Sequence, residues 1–64
     1  DLVAIQLVTG KWIDVSWFPQ FDPNGEYHVT VFPDSTFEQL IAATTAKTPS
    51  EVVEAVDEYD AIYG

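Results

Sequence analysis

The sequence predicts an α+β domain in which a three- or four-stranded antiparallel β-meander carries one C-terminal α-helix on one face. Three alternating segments separated by turn signals predict the meander, and an apolar stripe behind a strong helix-start signal predicts the helix. A chain of 64 residues has room for one core. We therefore expect residues 1–64 to form a single small acidic domain.

Residues 2–8, 11–20 and 26–32 alternate between apolar and polar side chains, as half-buried strands do. One side of each segment is consistently apolar. Because side chains in a strand alternate between two faces, these sets line one face of a sheet if the strands pair in register. The expected core set is Val3, Ile5, Leu7, Ile13, Val15, Trp17, Tyr27, Val29 and Val31.

Two turn signals fix the predicted register. In the run 22–25, Pro23 presets φ of the second turn position, and Gly25 is expected in the left-handed conformation of a bulge. A three-residue loop there pairs Trp17 with Val31. A three-residue loop over residues 9–11 pairs Leu7 with Ile13. Both registers bring the apolar sets to the same side of the sheet.

The C-terminal segment predicts a helix with a well-marked start. Thr48 is the expected N-cap, Pro49 occupies the first helical position, and Glu51 completes a capping box. Gly64 ends the helix. The stripe expected to pack on the sheet is Val52, Ala55, Val56, Tyr59, Ile62 and Tyr63.

Residues 37–46 are compatible with either a helix or a strand. Ser35 and Glu38 imitate a capping box, whereas Thr44 and Thr45 are β-branched and favour a strand. We favour a fourth strand, antiparallel to the third. In this interpretation the residues facing the helix are Phe37, Gln39, Ile41, Ala43 and Thr45.

The charge balance excludes whole classes of partner. Eleven acidic residues oppose two basic ones, for a net charge of −9. Nucleic acids and anionic lipid surfaces attract positive charge, so we expect neither direct nucleic-acid binding nor membrane binding. The chain has no cysteine, and no segment reads as a signal peptide or a membrane span, so we expect a soluble cytoplasmic domain.

The sequence offers two candidate chemical sites, a catalytic triad and a calcium loop, and each has a simpler explanation. Asp14, Ser16 and His28 share the polar sheet face, but a flat sheet offers no oxyanion hole, so we expect no catalysis. Asp22 and Asn24 begin a series of oxygen ligands like that of a calcium loop, yet the turn chemistry alone explains them. We expect no cofactor and no metal.

Two surfaces are candidate binding sites. Trp12, Phe18 and Phe32 lie on the sheet face opposite the predicted core, where they form a binding or dimer surface or are covered by the chain itself. Glu54, Asp57 and Glu58 belong to a helix face that carries only carboxylates, and their mutual repulsion is unfavourable. That face is either a solvated surface or a site for a basic partner.

These observations favour a non-enzymatic interaction module that binds another protein. An inhibitor or a charge mimic directed at a basic surface is one version of this hypothesis. The alternative is a homo-oligomeric structural protein that buries its aromatic sheet face against a second copy.

Overall fold

The computed structural model describes residues 2–64 and confirms the α+β class. Four strands form one antiparallel sheet in the order β1-β2-β3-β4, and one helix follows them. The elements are β1 (Val3–Gln6), β2 (Trp12–Phe18), β3 (Glu26–Phe32), β4 (Ala42–Ala46) and α1 (Pro49–Tyr63).

The core lies between the sheet and the helix. Ile13, Val29 and Val31 are completely buried at the centre of the two middle strands. Leu7 and Val15 complete the buried cluster, and apolar residues of α1 pack against it from the other side. Alternation along β2 and β3 therefore places the predicted apolar set on the helix side of the sheet. Its inner members are buried, whereas Trp17 and Tyr27 at the end of the sheet are half-buried.

The loop of the first hairpin begins one residue earlier than predicted. The Leu7 N–H donates to the Lys11 carbonyl oxygen at 2.8 Å, so the loop comprises residues 8–10. Gly10 takes φ of 90°, the left-handed conformation that closes a three-residue hairpin loop. As a result Ile13 pairs with Ile5 instead of Leu7. This two-residue shift keeps every side chain on its predicted face, because the strand period is two.

The second hairpin has a longer connection than predicted. Trp17 pairs with Tyr27 instead of Val31, and residues 19–25 form two successive turns after a cis peptide bond between Phe18 and Pro19. Gly25 does not adopt positive φ. It is needed for space, because a β-carbon there would lie 2.7 Å from the Phe18 carbonyl oxygen.

Residues 42–46 form a strand, which confirms the favoured interpretation, but the face they present to the helix is the opposite of the expected one. Val31 pairs with Ala42 and Val29 with Thr44, so Ala42, Thr44 and Ala46 share the helix side of the sheet. The expected inward set of Phe37, Gln39, Ile41, Ala43 and Thr45 is therefore wrong. The connection over residues 33–41 lies outside the ladder and allows this change of register.

Helix α1 begins as predicted, with Thr48 as N-cap and a complete capping box to Glu51. It packs against β4, β3 and β2, and the Thr9 hydroxyl donates to the Tyr63 carbonyl oxygen at 2.7 Å. The helix thus crosses the sheet diagonally, from the end of β4 to the β1–β2 turn. Ile62 is 60% exposed and does not join the packed stripe, contrary to expectation.

Candidate functional site

The aromatic face of the sheet is partly covered by the chain itself. Trp12 and Phe32 are cross-strand neighbours. Phe37, from the connection between β3 and β4, packs edge-on against both rings, with centroid distances of 5.8 Å and 5.1 Å. Of the three aromatic residues predicted to bind a partner, Trp12 and Phe32 are therefore half-buried in an internal cluster.

Phe18, the third predicted aromatic residue, stays open at the other end of the same face. It is 59% exposed and touches the His28 ring edge-on at 5.5 Å. His28 lies directly across from Ser16. The Ser16 hydroxyl donates to the Asp14 carboxylate at 2.7 Å, so in this arrangement it is not turned toward the imidazole.

Glu54, Asp57 and Glu58 are all exposed on α1, as the sequence predicts for a helix face of carboxylates. Glu54 and Glu58 line a shallow polar cleft of about 360 Å³ between the helix and β4. Glu51, which also lines it, is engaged in the helix cap: its carboxylate accepts the backbone N–H groups of Lys47 and Thr48. The cleft is therefore bordered by two carboxylates without a structural role in the cap.

The cations do not neutralise this cleft. Within residues 2–64 the ion pair formed is Lys47 with Glu26, at 3.7 Å, and none of the helix carboxylates takes part. Burial raises the pKa of Tyr59, which lines the same cleft, and the neighbouring Tyr63 and Glu58 raise it further. The charged side chains that line the cleft are the carboxylates of Glu51, Glu54 and Glu58.

An apolar corner of the sheet is a surface that the sequence analysis missed. Because α1 crosses diagonally, the helix approaches β2, β3 and β4 but leaves Leu2 and Val3 exposed in the described part of the chain. An open cavity of about 450 Å³ lies there, and its lining is mostly apolar. The lining residues, which we call the apolar corner, are Leu2, Trp17, Gln20, Phe21 and Tyr27.

Trp17 belongs to this corner instead of the main core. Its indole Nε1 donates to the Asp22 carbonyl oxygen at 2.8 Å, and its ring meets Tyr27 edge-on at 4.9 Å. The connection over residues 19–25 therefore holds Trp17 at the end of the sheet. The even spacing of the apolar residues could not reveal this, because it fixes the face of a side chain but not whether the helix covers it.

Phe21 forms the rim of the apolar corner in a strained conformation. Its φ is 62°, a left-handed value that side-chain-bearing residues rarely adopt, and it is 98% exposed. Leu2, which also lines the cavity, is 63% exposed. A signal for this site was present in the sequence: a large aromatic residue directly before the turn run 22–25, where polar residues predominate.

Other features of the described residues add no site. No group of three or more His, Asp or Glu residues within residues 2–64 is placed to hold a metal ion. Asp22 accepts the backbone N–H of Asn24 at 2.9 Å, which is turn chemistry. In the same part of the chain, no helix is long and apolar enough to cross a membrane.

Comparison with protein families, with curated proteins and with solved structures finds no match to this chain.

Proposed function

We propose that this domain is a non-enzymatic interaction module that binds a basic protein through the acidic face of α1. The observation that supports this most directly is the polar cleft beside β4. There Glu54 and Glu58 are exposed, and neither is paired with a cation within residues 2–64. Asp57 adds a third exposed carboxylate on the same helix.

The arrangement is unfavourable for the isolated fold. Glu54 and Glu58 are four residues apart, and a like-charge pair at this spacing destabilises a helix by about 0.2–0.5 kcal/mol. Neither residue offsets this cost with an ion pair in the described part of the chain. A basic partner would relieve the repulsion and would be attracted to the site over a range of about 8 Å at physiological salt.

An inhibitor that covers a basic active site, or a mimic of nucleic-acid charge, is one version of this proposal. Nucleic acid itself is not the proposed ligand, because the chain carries only two basic residues. The proposed setting is the cytoplasm, where domains without disulfides are common. Phe37 already covers Trp12 and Phe32, so the competing homo-oligomer through the aromatic face has mainly Phe18 left to bury.

The test starts with the immobilised domain and an identical column that carries the Glu54→Gln, Glu58→Gln variant. A protein retained only by the first column is identified, purified and used for stopped-flow association. We expect its association rate to fall as salt rises, whereas the free domain becomes more stable in the same salt series.

Glu38→Gln provides the matched control, since it removes one exposed carboxylate away from the helix. Glu58→Gln should slow association several-fold, and Glu38→Gln should change it less than twofold. Equal effects of the two substitutions would show that only net charge matters. No effect of either would exclude the acidic face as the binding site.

A further inference from the structure

We propose that the outer edge of β1, together with the apolar corner, binds an extended segment of the partner as a fifth strand, and that this segment alternates apolar and basic side chains. The inference rests on the proposed function in one respect, namely that the partner is a basic protein. It concerns a different surface from the acidic face of α1.

Among the described residues 2–64, the strand that pairs with β1 is β2, so the outer edge of β1 is open for strand addition. Leu7 pairs with Lys11 by a backbone hydrogen bond, and Ile5 pairs with Ile13 two residues earlier. In an antiparallel ladder the intervening residues turn their N–H and C=O groups away from the partner strand. Ala4 and Gln6 therefore direct these groups outward. The strand Val3–Gln6 contains neither a charged residue nor a proline, the usual devices that prevent edge pairing.

The apolar corner supplies a pocket beside that edge. Side chains of an added strand that lie opposite Val3 and Ile5 fall on the helix side of the sheet. The cavity of about 450 Å³ opens at the Leu2 end of β1, so the end of the added strand beyond Val3 would approach it. Val3 is 46% exposed and Leu2 is 63% exposed, so both still have apolar surface to bury. Added main-chain hydrogen bonds with pockets for alternate side chains are the usual mode of peptide recognition at a sheet edge.

On the sheet face away from the helix, Asp14 favours a positively charged side chain in the added strand. It is the cross-strand neighbour of Ala4, and its carboxylate is held by the Ser16 hydroxyl at 2.7 Å. Adjacent strands lie about 4.8 Å apart, so a residue opposite Ala4 is about 10 Å from Asp14. A lysine or arginine can extend over the small Ala4 side chain and reach that carboxylate.

Two alternatives to this proposal are less favourable: a second copy of the chain as the occupant, and strand addition at the other edge of the sheet. A second copy of this chain would bring two domains of net charge −9 together. The other edge strand, β4, borders a polar cleft instead of an apolar pocket, and Lys47 follows it directly. The combination of an open edge, an apolar pocket and a carboxylate behind an alanine occurs at β1.

The probe is a blocked heptapeptide, acetyl-Val-Lys-Val-Lys-Val-Lys-Val-amide, titrated into the ¹⁵N-labelled domain up to about 1 mM, where weak complexes are still detected. We expect the largest amide shifts at Ala4 and Gln6, with quenching of Trp17 fluorescence. A peptide of the same composition with its lysines grouped at one end should bind at least fivefold more weakly, because its side chains do not alternate.

Two alanines on the same sheet face but on opposite edges give a matched pair of variants: Ala4 on β1 and Ala43 on β4. Ala4→Lys should weaken peptide binding at least tenfold, whereas Ala43→Lys, with the same net charge, should weaken it less than threefold. Phe21→Asn, which lies outside the ladder, should weaken binding about fivefold and serves as the second variant if Ala4→Lys fails to fold.

Each outcome decides between the proposals. Amide shifts at Glu54 and Glu58 in place of Ala4 and Gln6 would overturn the β1 site and leave the acidic face as the proposed binding surface. Equal losses in Ala4→Lys and Ala43→Lys, or no binding of the alternating peptide, would also overturn it. If the immobilised domain in addition retains no basic protein, the proposed function fails as well.

Discussion

The two long connections of the sheet each hold a phenylalanine in the left-handed conformation, and the contrast between them is informative. Phe21 has φ of 62° and Phe37 has φ of 55°. Phe37 packs against Trp12 and Phe32, whereas Phe21 is 98% exposed at the rim of an open cavity. The same unfavourable backbone conformation is therefore accompanied by stabilising aromatic contacts in one connection and not in the other.

A backbone conformation of this kind costs about 1–3 kcal/mol and persists where the surroundings compensate for it. In the 33–41 connection the compensation is visible as two aromatic contacts. In the 19–25 connection the hydrogen bonds of the successive turns hold Phe21 in place, but its ring gains almost nothing within the domain. The ring of Phe21 is thus available to a partner, while that of Phe37 serves the fold.

The largest expected effect comes from Phe37→Asn. Asparagine tolerates the left-handed conformation, so the substitution tests the ring contacts and not the backbone. Loss of the packing on Trp12 and Phe32 should destabilise the domain by about 2 kcal/mol, measured by urea unfolding. A red shift of the Trp12 fluorescence should accompany it. An unchanged midpoint would mean that Phe37 is a free surface residue like Phe21.

The same substitution in the other connection should act in the opposite direction. Phe21→Asn relieves the strain and removes no buried contact, so we expect a gain of up to about 1 kcal/mol in urea unfolding. Binding of the alternating peptide should weaken in the same variant. If Phe21→Asn destabilises the domain as much as Phe37→Asn does, the Phe21 ring contributes to the stability of the fold as the Phe37 ring does.

The smallest effect concerns the start of the 33–41 connection. The Thr36 hydroxyl donates to the Asp34 carboxylate, as does the Thr36 backbone N–H, and these bonds lower the pKa of Asp34 below its usual value of 3.8. Since the pKa is lower in the folded state, the stabilising contribution is present above about pH 4 and is lost as the pH falls through the folded pKa.

Thr36→Val removes the hydroxyl, which is the main cause of the shift. The pKa of Asp34 should rise in this variant, as followed by carboxyl carbon NMR, and the slight loss of stability in acid should become smaller. Identical Asp34 titration curves in the two proteins would show that the hydroxyl bond does not form in solution.

Much of the fold could be predicted because an error of two residues in the strand register leaves every side chain on the same face of the sheet. The first hairpin differs from prediction by a shift of two residues and the second by a shift of four, yet Ile13, Val15, Val29 and Val31 face the helix as expected. Helix α1 was predicted at its N-terminus because the capping signal is local, requiring only Thr48, Pro49 and Glu51.

The fourth strand shows where that tolerance ends. The expected inward residues differ from the observed ones by a single position, and an odd shift exchanges the two faces. The connection over residues 33–41 is long, and no local turn motif in it fixes how many residues separate the two strands. The register of β4 on β3 is therefore not set locally. The pairing of Val31 with Ala42 places Ala42 on the face of the sheet where α1 packs against both β4 and β3.

Of the candidate surfaces, one could likewise be predicted from a local sequence pattern and the other could not. The acidic face of α1 was predicted because Glu54, Asp57 and Glu58 lie opposite the apolar stripe of one helix, which is a property of helical periodicity alone. The cover that Phe37 gives to Trp12 and Phe32 depends on where a long connection folds back, and the sequence does not encode that distance in a local pattern.

By itself, then, the sequence determined the α+β class, the inward faces of the first three strands, the start of the helix and its acidic face, because each depends on a period or on neighbours a few residues apart. The diagonal path of α1, the face of β4 and the apolar corner at Trp17 and Phe21 were decided only in the tertiary structure. These features depend on which parts of the sheet the helix covers, and that is set by contacts between residues far apart in the chain.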